Sequence, residues 1–214
     1  MRIAIPKGRL ETGVLNFLAA AGITGRRESN RCYTLQTDEP SISEMMIVKP
    51  RSVPQLVALQ EFDVGFCGLD LVRNSEYSDE LMTTLDLGLN PVRIIVAAHH
   101  TQANILQKRP NRPVRIATEY DRLVGEWAMR KQLPFTPYMT FGSTEGFVPR
   151  HADLIMDCAE TGDTLRANGL VILEDLFAST TWLVVNRKSV LDDNVRDLTL
   201  KLGRAIATIN GDAD

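Results

Sequence analysis

The segment Asp153-Leu-Ile-Met-Asp157-Cys-Ala-Glu160-Thr161-Gly162-Asp163-Thr164-Leu165-Arg-Ala-Asn168-Gly-Leu170 reads as a strand that runs into a polar turn and then into a pattern able to open a helix. Leu154, Ile155 and Met156 form the apolar run, and the turn is small and rich in donors. Gly162 permits positive φ, so consecutive N–H groups can converge on one anion, and Thr161 and Thr164 add hydroxyls. The acids need a different explanation, because carboxylates beside an anion repel it unless they face the other end of the ligand. There, Asp157 and Glu160 would accept hydrogen bonds from ribose hydroxyls or hold Mg²⁺. An acid followed by Thr-Gly-x-Thr therefore suits a ribose 5-phosphate. The competing reading is a plain strand–turn–helix connection in which Asp163 caps the helix.

The same grammar recurs on both sides of this segment. Arg2 to Ile5 predicts a buried strand, Pro6-Lys7-Gly8-Arg9 a basic turn, and Leu10, Val14, Leu15 and Leu18 the apolar face of a helix. Lys7 and Arg9 then stand at a helix N-terminus, where side-chain charge and helix dipole both attract an anion. As an isolated motif, the same four residues also read as a solvated turn. Arg26 to Ser43, which contains Arg31, predicts short, partly exposed strands. Met45 to Val48 is a clearer strand and feeds a second basic turn, Lys49-Pro50-Arg51-Ser52, before a helix around Leu56 and Val57. Phe62 to Gly68 is another strand and turn, with Asp70 opening the next element. Ile94 to Ala98 is a buried strand or a crossover between domains. His99 and His100 follow it; as neighbours on a strand they point to opposite faces, which makes a shared metal awkward. Val114 to Thr118 restarts a strand ending at Glu119, and Leu123, Trp127 and Ala128 have helical spacing. Phe135 to Phe141 is extended, and Gly142-Ser143-Thr144-Glu145-Gly146 is a turn rich in donors. Leu173 to Phe177 is expected to be helical, Thr180 to Asn186 a strand, residues 192–209 an amphipathic helix, and the polar ending frayed.

Strands alternating with helices predict an α/β protein with a mostly parallel sheet, whose strand C-terminal ends collect the binding turns. A strand near residue 94 leaving one lobe and a strand near residue 182 returning would divide the chain into residues 1–93 with 179–214 and residues 94–178, with a ligand cleft between the lobes. The composition of the 214 residues, 44% hydrophobic and 24% charged, is that of a soluble globular protein. A net charge of −3 and a pI near 5.7 argue against a general nucleic-acid surface while allowing a local basic pocket for a small polyanion. Cys32, Cys67 and Cys158 are odd in number and far apart, which suggests neither a disulfide framework nor a zinc site and favours a reducing, cytoplasmic setting. Neither a signal-peptide core nor a run of about 18 apolar residues is present, so no membrane segment is expected.

With these motifs in view, the chain resembles the short-form catalytic subunit of ATP phosphoribosyltransferase, the first enzyme of histidine biosynthesis, almost end to end. The most specific part is Asp153 to Asp157 with Glu160-Thr-Gly-Asp-Thr164-Leu165 and Asn168-Gly-Leu170, which looks like the family's phosphoribosyl-pyrophosphate loop. Ile5-Pro-Lys-Gly-Arg9, Asp63-Val-Gly-Phe-Cys-Gly68, Leu85-Asp-Leu-Gly88, Arg115-Ile-Ala-Thr-Glu-Tyr120 and Gly142-Ser-Thr-Glu145 support it in family order. The resemblance implies a two-lobed fold like type II periplasmic binding proteins with the active site in the inter-lobe cleft. It also implies Mg²⁺, homo-oligomers, and a regulatory subunit resembling histidyl-tRNA synthetase in place of a C-terminal regulatory domain. Where the family usually has Arg-Pro-x-Asp, this chain has Lys49-Pro50-Arg51-Ser52, and Lys does not reproduce the planar fork of Arg. That departure leaves two alternatives open: a paralogue with another acceptor, or a non-catalytic ligand-binding protein on the same fold.

For the implied reaction, pyrophosphate leaves C1′ while N1 of ATP attacks, so the site needs positioned electrostatics and no Ser, Cys or His nucleophile. Lys7, Arg9 and Lys49 are expected to neutralise the leaving group. Asp157 and Glu160 would face the ribose, and Thr161, Gly162, Asp163, Thr164 and Leu165 would hold the 5-phosphate. Arg31, Asp70, Glu119 and Glu145 are the expected ATP-side residues, and the metal ligands are left unassigned.

Overall fold

The computed structural model describes residues 1–29 and 31–211. In chain order the regular elements are β1 Arg2–Pro6, α1 Arg9–Ala20, β2 Thr34–Leu35, β3 Glu44–Val48, α2 Val53–Ala58, β4 Val64–Gly68, α3 Leu69–Asn74 and β5 Leu81–His99. They continue with α4 Ile105–Lys108, β6 Val114–Thr118, α5 Asp121–Arg130, β7 Phe135–Met139, β8 Leu154–Ala159, α6 Asp163–Ala167, β9 Leu170–Asn186 and α7 Asp193–Gly211. The chain forms two compact units, Met1–Asn90 with Thr180–Asp214, and Pro91–Ser179. Two long strands, β5 and β9, run from one unit into the other.

In the first unit β1 lies between β3 and β4, parallel to both, and the register pairs Pro6 with Val48. Alternation along β1 explains its two buried faces. Ile3 and Ile5 pack with Val14, Leu18, Leu198 and Leu202, whereas Ala4 packs with Val53, Val57 and Val184. Gly65 of β4 is needed for that second face, since a Cβ there would stand 2.5 Å from Val53 Cγ1. The return segment of β9 closes the unit antiparallel to β4, Val64 opposite Val185 and Gly68 opposite Thr181.

In the second unit β8 pairs with β5 antiparallel and with β6 parallel, and β7 adds to β6 in parallel. Ile95, Ala97, Ala117, Ile155 and Leu165 form one core, and the alternate residues Ile94, Val96, Ile116 and Met156 are buried as well. The C-terminal ends of the parallel strands β6, β7 and β8 therefore lie at one edge, where open α/β sheets bind ligands.

Three sequence expectations change. Leu173 to Phe177 is not helical but belongs to β9, because its acids are held by tertiary partners: Glu174 accepts from Trp127 Nε1 at 3.1 Å and from Lys131 at 3.0 Å, and Asp175 accepts from Arg93 at 2.7 Å. Its Val-Ile-Leu run also suits a strand as well as a helix. Between Arg26 and Ser43 the described chain has only β2 and a single bridge from Arg26 to Gln36. The sheet is also less uniformly parallel than the alternation suggested, because β2, β5 and β9 run antiparallel to their neighbours β3, β8 and β4. The expected frayed ending lies, from residue 212 on, outside the described residues.

Candidate active site

The turn after β8 has the conformation that its glycine permits. Gly162, at φ 77° and ψ 10°, is the N-cap of the short helix α6, so it and not Asp163 occupies the cap position. The Thr161 hydroxyl donates to Asp163 Oδ2 at 2.6 Å, and Arg166 forms an ion pair with the same carboxylate. These partners hold the Asp163 carboxyl below its ordinary pKa, and they bind its charge within the turn. Glu160, Thr161, Gly162, Asp163, Thr164 and Leu165, with Cys158, Ala159 and Glu145, surround a cavity of about 150 Å³. The segment singled out from the sequence is thus a concave site.

Asp157 stands three residues before Glu160, near the end of β8. Burial pushes its carboxyl up to about 6; the Cys158 N–H and the Thr144 hydroxyl pull the other way, and the charges of Glu145 and Glu119 add to the rise. The Cys158 N–H lies 2.7 Å from Asp157 Oδ1. Glu119 follows β6 directly, and Glu145 sits in the turn Thr144–Phe147 after β7. Parallel pairing of β6 with β8, Thr118 opposite Met156, brings Glu119 and Asp157 to neighbouring strand ends. Glu145, expected on the acceptor side, lines the same cavity as the loop.

Asp153, at the other end of β8, has a separate task. Its fully buried carboxylate accepts from Arg112 at 2.6 and 2.9 Å and from Arg115 Nη2 at 2.9 Å. Burial alone would raise its pKa, but these guanidinium hydrogen bonds outweigh it and hold the group well below the usual carboxylate range.

The remaining candidates lie in the first unit. Lys7 follows β1, and its N–H donates to Val48 O at 2.7 Å, so the Lys7 turn and the Lys49 turn emerge from adjacent parallel strands. The Lys7 ammonium donates to Tyr33 Oη at 3.2 Å and lies 4.8 Å from the centre of that ring. Arg9 begins α1 behind the Gly8 cap, and Lys49 caps the short turn Pro50–Ser52. Arg31 is exposed, with its N–H on Ser29 Oγ at 3.4 Å. Asp70 is buried in the first turn of α3. Sequence reading missed four neighbours of the expected site residues: Tyr33 beside Lys7, Cys158 in the cavity wall, and the buried, mutually hydrogen-bonded Thr140 and Thr144 after β7. Only the donor-rich turn at Gly142 to Glu145 signalled the last of these.

Comparison with known proteins identifies the family. Residues 49–206 match the family model described as HisG: ATP phosphoribosyltransferase. An ATP phosphoribosyltransferase of Caldanaerobacter subterraneus subsp. tengcongensis is 31% identical over 210 residues, covering 95% of this chain and 96% of its own. The solved ATP phosphoribosyl transferase (HisG:HisZ) complex from Thermotoga maritima contains a chain that superposes with a TM-score of 0.84 at 30% identity, covering 97% of this chain and 99% of that one. A histidine kinase sensor domain similar to periplasmic binding proteins superposes with a TM-score of 0.60 at 11% identity, which places the fold, though not the chemistry, among two-lobed periplasmic-binding-protein-like proteins. With a family match across most of its length and a relative of the same size, this chain belongs to the ATP phosphoribosyltransferase family.

Proposed function

We propose that this chain transfers the phosphoribosyl group of phosphoribosyl pyrophosphate to N1 of ATP, the first step of histidine biosynthesis. The bond from C1′ to the pyrophosphate oxygen breaks with its electron pair leaving on pyrophosphate, and N1 supplies the pair for the new bond. The observation that carries the reading is the concave turn at Glu160 to Leu165, with Asp157 beside it. Amides of Thr161 to Leu165 hold the 5-phosphate as an anchor remote from the reacting carbon. Asp157 and Glu160 accept from the ribose hydroxyls and favour the positive charge that develops on the ring. Because Glu145 lines the loop cavity and Glu119 acts on Asp157, both belong with the ribose as much as with the purine. Lys7, Arg9 and Lys49 neutralise the leaving pyrophosphate, and Arg31 and Asp70 are assigned to ATP.

A divalent cation accompanies the reaction in this family, and Mg²⁺ is our assignment. Among the described residues no group of three or more His, Cys, Asp or Glu could hold a metal, so the ion would travel on phosphate oxygens and water, as magnesium commonly does. It would supply charge neutralisation on pyrophosphate. No described helix is long and apolar enough to cross a membrane, and cytoplasm is the proposed setting. The Thermotoga maritima chain was solved in a complex with a second subunit, and nearly all of that chain is covered here. We assign this chain a comparable regulatory partner, resembling histidyl-tRNA synthetase, and a homo-oligomeric state.

Pyrophosphate release from phosphoribosyl pyrophosphate with ATP and Mg²⁺, with and without such a subunit, tests the reading. Turnover is expected with ATP. Lys49→Ala should lower kcat/KM about tenfold or more, roughly 1.4 kcal/mol of transition-state stabilisation. Turnover only with another base would assign the chain to a paralogue, and donor binding without turnover would make it a binding protein.

A further inference from the structure

Beside the basic turns of the first unit stands a tyrosine that the transferase reading does not use. Tyr33 directly precedes β2, and its backbone carbonyl accepts from the Ile47 N–H at 2.7 Å. β2 is pinned to β3 by the antiparallel pairing of Thr34 with Met46 and Leu35 with Met45, and Leu35 is buried in the core. Strand alternation then sets one face. Tyr33 lies two residues before Leu35, Lys7 two residues after Ile5 and Lys49 two residues after Ile47, and Leu35, Ile5 and Ile47 belong to the same core cluster. The pairing of Ile5 with Ile47 and of Pro6 with Val48 brings the Lys7 and Lys49 turns out of adjacent strands at one level. The Lys7 ammonium lies 3.2 Å from Tyr33 Oη, while Tyr33 remains 49% exposed.

We infer that Tyr33 is a further pyrophosphate-binding residue, which joins Lys7 in a two-donor clamp on one phosphate group. The inference rests on the transferase reading for the identity of the anion. Proton counting gives the pair its direction. An ammonium has three donors and no acceptor, so the Tyr33 oxygen must accept from Lys7, and the phenolic proton points elsewhere. Among the described residues no group accepts that proton. A terminal phosphate group offers several oxygens, so it takes the Tyr33 proton and a Lys7 proton together. The acid beside this turn is already occupied: Glu11 accepts from the Gly8 N–H at 3.3 Å and forms an ion pair with Arg27. The Tyr33 carbonyl and the Lys7 N–H are both fixed to β3, at 2.7 Å each, so the clamp is set before the anion arrives.

Calorimetric titration of the full chain with inorganic pyrophosphate and Mg²⁺, with ribose 5-phosphate as the control, tests this. Tyr33→Phe keeps the ring of a half-exposed residue and removes only the hydroxyl. It should weaken pyrophosphate binding about tenfold or more, the scale of one hydrogen bond to a charged group, and leave ribose 5-phosphate within about twofold. Lys7→Ala should weaken pyrophosphate as well. Adding Tyr33→Phe to it should then cost at most about threefold, because the hydroxyl has lost the ammonium that orients it. Unchanged pyrophosphate affinity in Tyr33→Phe, or an equal loss for ribose 5-phosphate, overturns the assignment. So does a double variant in which the two losses multiply in full, since the residues would then act independently. A wild type that binds no pyrophosphate overturns it too. A wild type that binds pyrophosphate but releases none from phosphoribosyl pyrophosphate and ATP sinks the transferase reading alone, because the titration still judges Tyr33.

Discussion

Gly162 is the position where backbone geometry bears most directly on the proposed donor site. At φ 77° and ψ 10° it sits in left-handed space, where a residue with a Cβ pays roughly 1–2 kcal/mol. Space is a smaller concern: a Cβ would meet only Arg166 Nη1 at 3.3 Å, the far end of a flexible side chain. Gly162→Ala therefore should cost about 1–2 kcal/mol, divided between lost stability and lost donor affinity according to whether the free turn relaxes. If the turn relaxes fully, the donor dissociation constant rises roughly 5–30-fold. Gly162→Asn should lose less, because Asn tolerates left-handed φ, and Gly162→Val should lose more. Calorimetric titration with phosphoribosyl pyrophosphate and separately with ATP, paired with thermal unfolding of each variant, measures both shares. An equal loss of ATP affinity would refute the assignment of this turn to the donor. An Ala variant matching wild type in both stability and donor affinity would refute the conformational argument.

Two further predictions separate the two acids of β8 and its entrance. The pKa of Asp157 is raised from 3.8 to about 6, so the folded state binds more protons than the unfolded state between those values, and the acid's contribution to stability falls as pH rises through them. Asp157→Asn should thus be more stable than wild type at pH 7 by about 1–2 kcal/mol, after discounting a full-strength value of roughly 3 for solvent screening of a part-exposed group. It should show no gain below pH 4, and it should bind donor poorly throughout; urea unfolding at both pH values checks this, and a loss of stability at pH 7 would contradict it. Asp153 has the opposite sign: its lowered pKa contributes stability above the ordinary carboxylate range that is lost as pH falls toward the folded value. Asp153→Asn should lose about 2–3 kcal/mol in urea unfolding, since the charged hydrogen bonds of two partly exposed arginines go, while donor affinity of the folded variant stays as in wild type.

The conformation of the turn at Gly162 was legible because it is local. Left-handed backbone, consecutive amides and two threonine hydroxyls within five residues need only each other, and Gly162 announces them. The order of strands and helices was legible for the same reason, as periodicity is written within each element. Leu173 to Phe177 was not, because a run such as Val-Ile-Leu-Glu-Asp-Leu-Phe fits either period, and its choice is made by Trp127, Lys131 and Arg93, between 43 and 82 residues away in sequence.

The sequence alone therefore determined an alternating α/β chain with a polar, glycine-centred turn after one strand and basic turns after two others. Tertiary structure decided which acid does what. Asp153 and Asp157 differ by four positions, and the sequence marked only the second, without its neighbours; one end of β8 meets two guanidinium groups and the other lies near the charges of Glu145 and Glu119. Pairing of β6 with β8 is what brings those partners in, and strand pairing is a long-range choice. A carboxylate's proton affinity and its orientation belong to its neighbours, and distant segments supply them only when the sheet closes.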